Sequence, residues 1–273
     1  MPLRFTYIVV EGPHDVEFVG RILRKGAHAF HLKEKKSEVD PFWHPLIPSK
    51  YPVGIPPNDR LQRVPMPTFY QSATHSVAVQ SANGINKIVA RLEESLSTPT
   101  FRMPDSIGIV LDSDSTDTPP KRAADLAAEV VKSATSLKVP WPNTPGIVTT
   151  PVTGQPRLGQ YVLPDNKAQG TLEDILLQCG RFAYPGLIPM ASQHVATARA
   201  NLVPGTPHWT NQDHEELKAP AGLKKATVAA ATAILKPGKT TQVTISDNRW
   251  IEPATLTQPF LKPFVDWLDG LVI

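Results

Sequence analysis

Residues Thr6 to Arg24 read TYIVVEGPHDVEFVGRILR, and the reading of this stretch decides the architecture. Tyr7 to Val10 are an apolar run that stops at Glu11, and Gly12-Pro13 supply turn chemistry before a helix opens near Asp15. Val16, Val19, Ile22 and Leu23 recur at helical spacing, so one face of that helix packs on a sheet. A strand that carries an acidic side chain to its carboxyl end delivers it to the crevice where α/β sheets bind ligands.

The same order of strand then helix recurs outward from this unit. His75 to Ser81 alternates as a strand, Ala82-Asn83-Gly84 turns, and Ile85, Ile88, Val89, Leu92 and Leu96 mark one helical face. Ser106 to Leu111, SIGIVL, is the continuous apolar run of a strand buried on both faces, and it ends in Asp112-Ser113-Asp114. A helix follows from Pro119 to Leu137, with proline where its missing N–H costs nothing. Gly146 to Val152 and Gly159 to Leu163 read as further strands, and Thr171 to Cys179 as a helix stopped by Gly180. Helices are also expected at Leu223 to Leu235 and Phe260 to Leu268. This order predicts an α/β fold, a Rossmann-like parallel sheet with helices on both faces. Its parts are a core over 1–180, a proline-rich surface insertion over 31–74, and a mostly helical extension over 181–273 packed on the core.

Composition narrows the chemistry. The 273 residues are 41% hydrophobic and contain no apolar run of eighteen, and the amino terminus lacks a signal-peptide pattern, so no membrane association and a cytoplasmic location are expected. One cysteine, Cys179, excludes a disulfide framework and a Cys-based zinc site and suits a buried small hydrophobe. The net charge of +3 tolerates a polyanion without marking a dedicated nucleic-acid clamp. The 29 prolines, about twice the usual share of roughly 5%, keep Pro41 to Pro67 and Pro140 to Pro164 extended or irregular.

Glu11, Asp112 and Asp114 are then expected at one sheet edge. Two carboxylates about 4 Å apart repel by roughly 4 kcal/mol at an effective dielectric near 20, and a hard divalent cation removes that penalty. Such an ion polarises a phosphoryl oxygen and generates hydroxide, while a nearby carboxylate such as Glu11 shuttles protons. Asp-x-Asp alone also reads as a solvated turn, and Asp15 as the N-cap of its helix. Thr171-x-x-Asp174 is a capping-box variant, which makes Asp174 a cap, and Glu173 is less easily explained that way. Lys224 and Lys225 read either as the solvated side of an alanine-rich helix or as phosphate contacts. Gly238-Lys239-Thr240 lacks the first glycine and the strand of a phosphate loop, and no H-E-x-x-H or G-x-S-x-G is present.

Together, Glu11-Gly12 with Asp15, Asn83-Gly84 opening a helix, and Asp112-Ser113-Asp114 resemble the Toprim domain of primases, topoisomerases, recombination proteins and OLD-type nucleases. Gly170-Thr171-Leu172-Glu173-Asp174 and the late Lys224-Lys225 are similar to the OLD-type branch. The resemblance implies a magnesium-dependent nuclease site, with manganese as a substitute ion. By it, Glu11, Asp112 and Lys225 are catalytic, and Glu11, Asp15, Asp112, Asp114 and Glu173 hold metal. Gly12, His14, Asn83, Gly84 and Lys224 would meet substrate, DNA more readily than RNA. OLD-type relatives often work with an ATPase; none is encoded here, so a partner ATPase, anti-phage defence and a homodimer stand as expectations.

Two rival readings share the domain. A primase-type nucleotidyl transferase usually carries a zinc module, which one cysteine cannot build. A catalytically silent Toprim-like scaffold or sensor would have no reason to keep mutually repelling carboxylates together. The aromatic residues of 31–74, Phe42, Trp43, Tyr51, Phe69 and Tyr70, suit either stacking on bases or a small satellite core.

Overall fold

The structure, a computed structural model, describes residues 3–48, 66–114, 117–134, 136–137, 140–201, 205, 210–219 and 221–272, with backbone alone at 212–214. The run ahead of Glu11 is strand β1, Arg4–Val10, and the helix after it is α1, Pro13–Lys25. There follow β2 (His31–Lys33), β3 (Thr68–Gln71), β4 (His75–Ser81), α2 (Ile88–Leu96), β5 (Ser106–Asp112), α3 (Pro119–Ser133) and β6 (Arg157–Leu163). The helical remainder comprises α4 (Leu172–Ala183), α5 (Leu187–Asn201), α6 (Asn211–Lys218), α7 (Gly222–Leu235), α8 (Thr241–Asp247), α9 (Pro253–Leu256) and α10 (Lys262–Val272).

The six strands form one sheet in the order β2-β3-β4-β1-β5-β6. β1 pairs in parallel with β4 and with β5, and β5 pairs in parallel with β6, so the carboxyl ends of these four strands share an edge. Side chains alternate between the faces, as the pleat requires. Ile8 and Val10 pack with α1, α4 and α10, whereas Tyr7 and Val9 pack with α2 and α3. At roughly 1.5–3 kcal/mol for each fully buried large apolar side chain, these two layers hold the sheet between them. α1 and α3 leave the neighbouring parallel strands β1 and β5 toward opposite faces, which makes the carboxyl ends of β1 and β5 a switch point of the fold.

Three expectations need correction. Gly180 does not stop its helix: α4 runs through it to Ala183, and a Cβ there would lie 2.6 Å from the Trp250 ring. The stretch 31–74 is more than a surface insertion, because His31–Lys33 and Thr68–Gln71 extend the sheet as antiparallel strands. Phe42 and Trp43 are buried, Phe42 stacks on Phe5 at 3.9 Å between centroids, and Trp43 Nε1 donates to Ser76 Oγ at 2.9 Å. Strands this short, set among prolines and lysines, leave almost no period in sequence; Tyr51 and the rest of 49–65 lie outside the described residues. Gly146 to Val152 is not a strand. It meets β6 at one isolated bridge, Val148 with Gly159, and through Gly146 N–H to Gln160 carbonyl and Thr149 N–H to Leu158 carbonyl, both at 2.8 Å, but Pro145 and Pro151 have no N–H to extend these into a ladder.

The chain beyond 180 does not close a separate core. One apolar cluster joins Ile8 and Val10 of β1 to Trp250, Leu261 and Phe264. Cys179 sits in that cluster as a buried hydrophobe, its thiol pushed up to about 12 by burial. No helix among the described residues is long and apolar enough to cross a membrane.

Candidate functional site

The end of β1 is pinned before the chain turns. Val10 carbonyl accepts from Ala82 N–H at 2.8 Å and Glu11 carbonyl from Gly84 N–H at 3.0 Å. Gly84 adopts φ +124, which glycine alone takes without strain, so Asn83-Gly84 shapes the turn that braces Glu11. Gly12 N–H then donates to Asp15 Oδ2 at 2.9 Å, and Asp15, third in α1, reaches back over the helix start.

On the neighbouring strand, Asp112 follows Val110 by two and therefore leans to the α1 side of the sheet. Ser113, fully buried, draws the next crossover onto it. Its Oγ accepts from Gly170 N–H at 2.8 Å, while Gly170 carbonyl accepts from Asp114 N–H at 3.0 Å. A Cβ on Gly170 would lie 2.5 Å from Asp174 Oδ2, so close an approach needs glycine. The knot brings the first turn of α4 to β5, and Leu172 N–H donates to Asp112 Oδ1 at 2.9 Å. Two helix amino termini thus face the carboxylates, each favouring negative charge.

A cavity of about 380 Å³ results, lined by Glu11, Gly12, His14, Asp15, Asp112, Glu173 and Lys225, with Val228 and Thr241 on the far wall. The charges are felt in the proton affinities. Burial pushes the Asp15 carboxyl up to about 7, with Glu11 and Glu173 adding to it. Burial also holds Asp112 well above the usual carboxylate range, and Asp15, Glu11 and Glu173 push the same way. Glu11 is raised by burial and then by Asp114, against the pull of Asp112 N–H, Lys225 and Arg122. Burial lowers the imidazole of His14, with Glu173 opposing and Lys225 adding.

Not every expected site residue reaches the cavity. Asp114, at φ +58, does not line the cavity and pairs with Arg122 at 3.2 Å, although its charge still raises Glu11. Lys224 pairs with Asp174 at 2.7 Å, and Asp174 caps α4 by accepting Thr171 N–H at 2.9 Å. Asn83 and Gly84 stand behind Glu11 rather than on the cavity wall. Arg122 and Thr241 escaped the sequence reading, since neither lies in a motif and only the packing of α3 and α8 brings them near; Ser113 was visible only as the middle of Asp112-Ser113-Asp114, with no sign of its role.

The donor set suits a hard divalent cation. All of it is carboxylate oxygen, and Glu11 Oε2 is buried without a hydrogen-bond partner among the described residues. Among those residues no group of three His, Cys, Asp or Glu side chains is placed so that it could hold an ion together. Each is held by a donor of its own: Asp15 by Gly12, Asp112 by Leu172, Glu173 by Thr171 Oγ1 at 2.7 Å.

The raised Asp15 carboxyl has a consequence for stability. Unfolded, the group titrates near 3.8; folded, near 7, so the folded chain binds the extra proton between those values. The stability this lends is complete below the unfolded value and is lost as pH rises through about 7, a change of a few kcal/mol. In EDTA the thermal midpoint should be lower at about pH 8 than at about pH 5, and Asp15→Asn should flatten that difference. A wild-type midpoint indifferent to pH would remove the electrostatic picture of the site.

A crystal structure of a hypothetical protein from Pyrococcus horikoshii OT3 is similar at 16% identity and a TM-score of 0.48, covering 98% of this chain and 100% of that one. No curated protein matches the chain. The family model described as a protein of unknown function, DUF3226, matches residues 6–273, and the chain belongs to that family.

Proposed function

We propose that this protein is a metal-dependent phosphodiesterase that hydrolyses DNA at the acidic cavity between β1 and β5. The observation that carries the reading is the convergence of Glu11, Asp15, Asp112 and Glu173, from three separate chain segments, at the switch point of the sheet. Carboxylates held together against their own repulsion, with pKa values displaced by burial and by one another, are the mark of a functional site. The Toprim resemblance of these same residues supports the assignment.

Asp15, Asp112 and Glu173 would hold magnesium or manganese, which polarises the scissile phosphoryl group and supplies hydroxide. Glu11, with a raised pKa and a free buried oxygen, takes and returns the proton at Oε2. Lys225 at the rim offers its ammonium to the phosphate, and the lowered pKa of His14 leaves its imidazole neutral to accept a hydrogen bond.

The test is incubation of linear, nicked and supercoiled DNA, and of RNA, with magnesium, manganese or EDTA. Cutting with either metal and none in EDTA is expected, with DNA preferred. A second reading, a catalytically silent Toprim-like scaffold, is favoured by the engagement of each carboxylate with its own donor. Absence of cutting with every metal, from protein that melts cooperatively, would select it. A partner ATPase in trans, in anti-phage defence, belongs to the first reading, and co-purification of an ATPase with the tagged chain checks it.

A further inference from the structure

Two more cavities, of about 700 and 680 Å³, share Asp174, Gln178 and Phe260, so they form one continuous groove. Its floor is the outer face of α4, where Asp174, Gln178 and Phe182 stand four residues apart. At 1.5 Å per residue that row is about 12 Å long. It runs away from the acidic cavity and begins beside it, because Glu173 and Lys225 line the cavity while Asp174 and Lys224 line the groove.

The groove carries rings and cations in alternation. Phe182 is 46% exposed, and Phe260 presents its half-buried ring to both parts of the groove. Arg181 and Lys167 are exposed and form no ion pair among the described residues. The two carboxylates nearby are already engaged: Asp174 by Lys224 at 2.7 Å, Asp165 by the N–H groups of Lys167 at 2.9 Å and Ala168 at 2.7 Å. Those N–H groups leave Asp165 its charge, but the lining sets three cations, Lys167, Arg181 and Lys224, against two carboxylates, Asp165 and Asp174, so its net charge is positive. Exposed rings beside unpaired cations bind unstacked bases and their phosphates, which a duplex does not present.

We propose that this groove binds single-stranded nucleic acid and leads it into the acidic cavity. The inference deepens the phosphodiesterase reading by naming its substrate class, and it rests on that reading for the direction of the strand. Phe182 and Phe260 stack on successive bases, Arg181 and Lys167 meet phosphates, and Lys224 and Lys225 bridge the groove to the cavity.

Fluorescence anisotropy of a labelled oligothymidylate in EDTA separates binding from cutting. Wild type should bind the strand in preference to a duplex of equal length. Phe182→Ala should weaken binding about five-fold or more, as loss of one stacking ring does. Arg181→Glu should weaken it further and reduce the salt dependence. Both residues are exposed, so unchanged melting curves should certify the fold. No binding by wild type, equal binding of the duplex, or undiminished binding by both variants would each overturn the proposal. Cutting by wild type with undiminished variants would leave the nuclease reading standing and remove the groove. Binding lost in the variants, with no cutting under any metal, would keep the groove and remove the nuclease.

Discussion

Asp112→Asn is expected to lower metal-dependent cleavage by more than about 100-fold, since even outer-shell partners of metal ligands are worth roughly 10–100-fold. The same change should raise the thermal midpoint of the metal-free protein above neutral pH. Asparagine keeps the oxygen that accepts Leu172 N–H, so the anchor of α4 survives. It removes a buried charge that Asp15, Glu11 and Glu173 all oppose. A carboxylate kept for structure would show the reverse, with stability lost and any activity lost only in step with it. The opposite signs are therefore diagnostic, and melting in EDTA beside initial cleavage rates reads both. Activity surviving in Asp112→Asn would end the assignment of this residue as a metal ligand.

Arg21→Ala should destabilise the fold by about 2–3 kcal/mol, the scale of removing a charged donor from buried acceptors, since Glu252 is half-buried and keeps Lys25. The guanidinium lies on the otherwise apolar face of α1 and is buried. Its Nη1 donates to Ser246 carbonyl at 2.7 Å, Nη2 to Asn248 carbonyl at 3.0 Å, and Nε to Ile251 carbonyl at 3.0 Å. It also pairs with Glu252, which Lys25 shares at 2.9 Å. Removing it leaves the Asn248 and Ile251 carbonyls without this donor, while Ser246 carbonyl keeps Arg24 at 3.0 Å. Arg21→Lys should rescue little, because a single ammonium cannot span acceptors arranged around a planar fork. Chemical denaturation gives the comparison, and a loss below about 1 kcal/mol, the scale of an exposed pair, would show that the clamp does not hold the helical remainder to α1.

The legibility of this chain follows from how far apart in sequence the partners of each feature lie. Tyr7 to Val10 and SIGIVL at 106–111 announce buried parallel strands because both of their faces are covered, and the structure places them side by side. Helix α4 was legible through its capping pair, Thr171 and Asp174. His31–Lys33 and Thr68–Gln71 were not, because three or four residues of edge strand carry too little alternation to stand out from prolines and lysines. The pattern at 146–152 misled for the opposite reason: Ile147, Val148 and Val152 are apolar, but prolines deny the segment a ladder.

By itself the sequence determined the α/β class, the acidic strand ends at Glu11 and Asp112, and the capped helix that carries Glu173, because each is written in residues within a few positions of one another. Only the tertiary structure decided which acidic residues share a cavity. Asp114 and Lys224 are drawn off to Arg122 and Asp174, while Glu173 is carried to Asp112 by the Ser113–Gly170 knot. The Asp174–Lys224 pair and the Ser113–Gly170 knot join residues 50 and 57 apart, and even the Asp114–Arg122 pair, eight apart, depends on how α3 is set against the end of β5. No local pattern of residues records them.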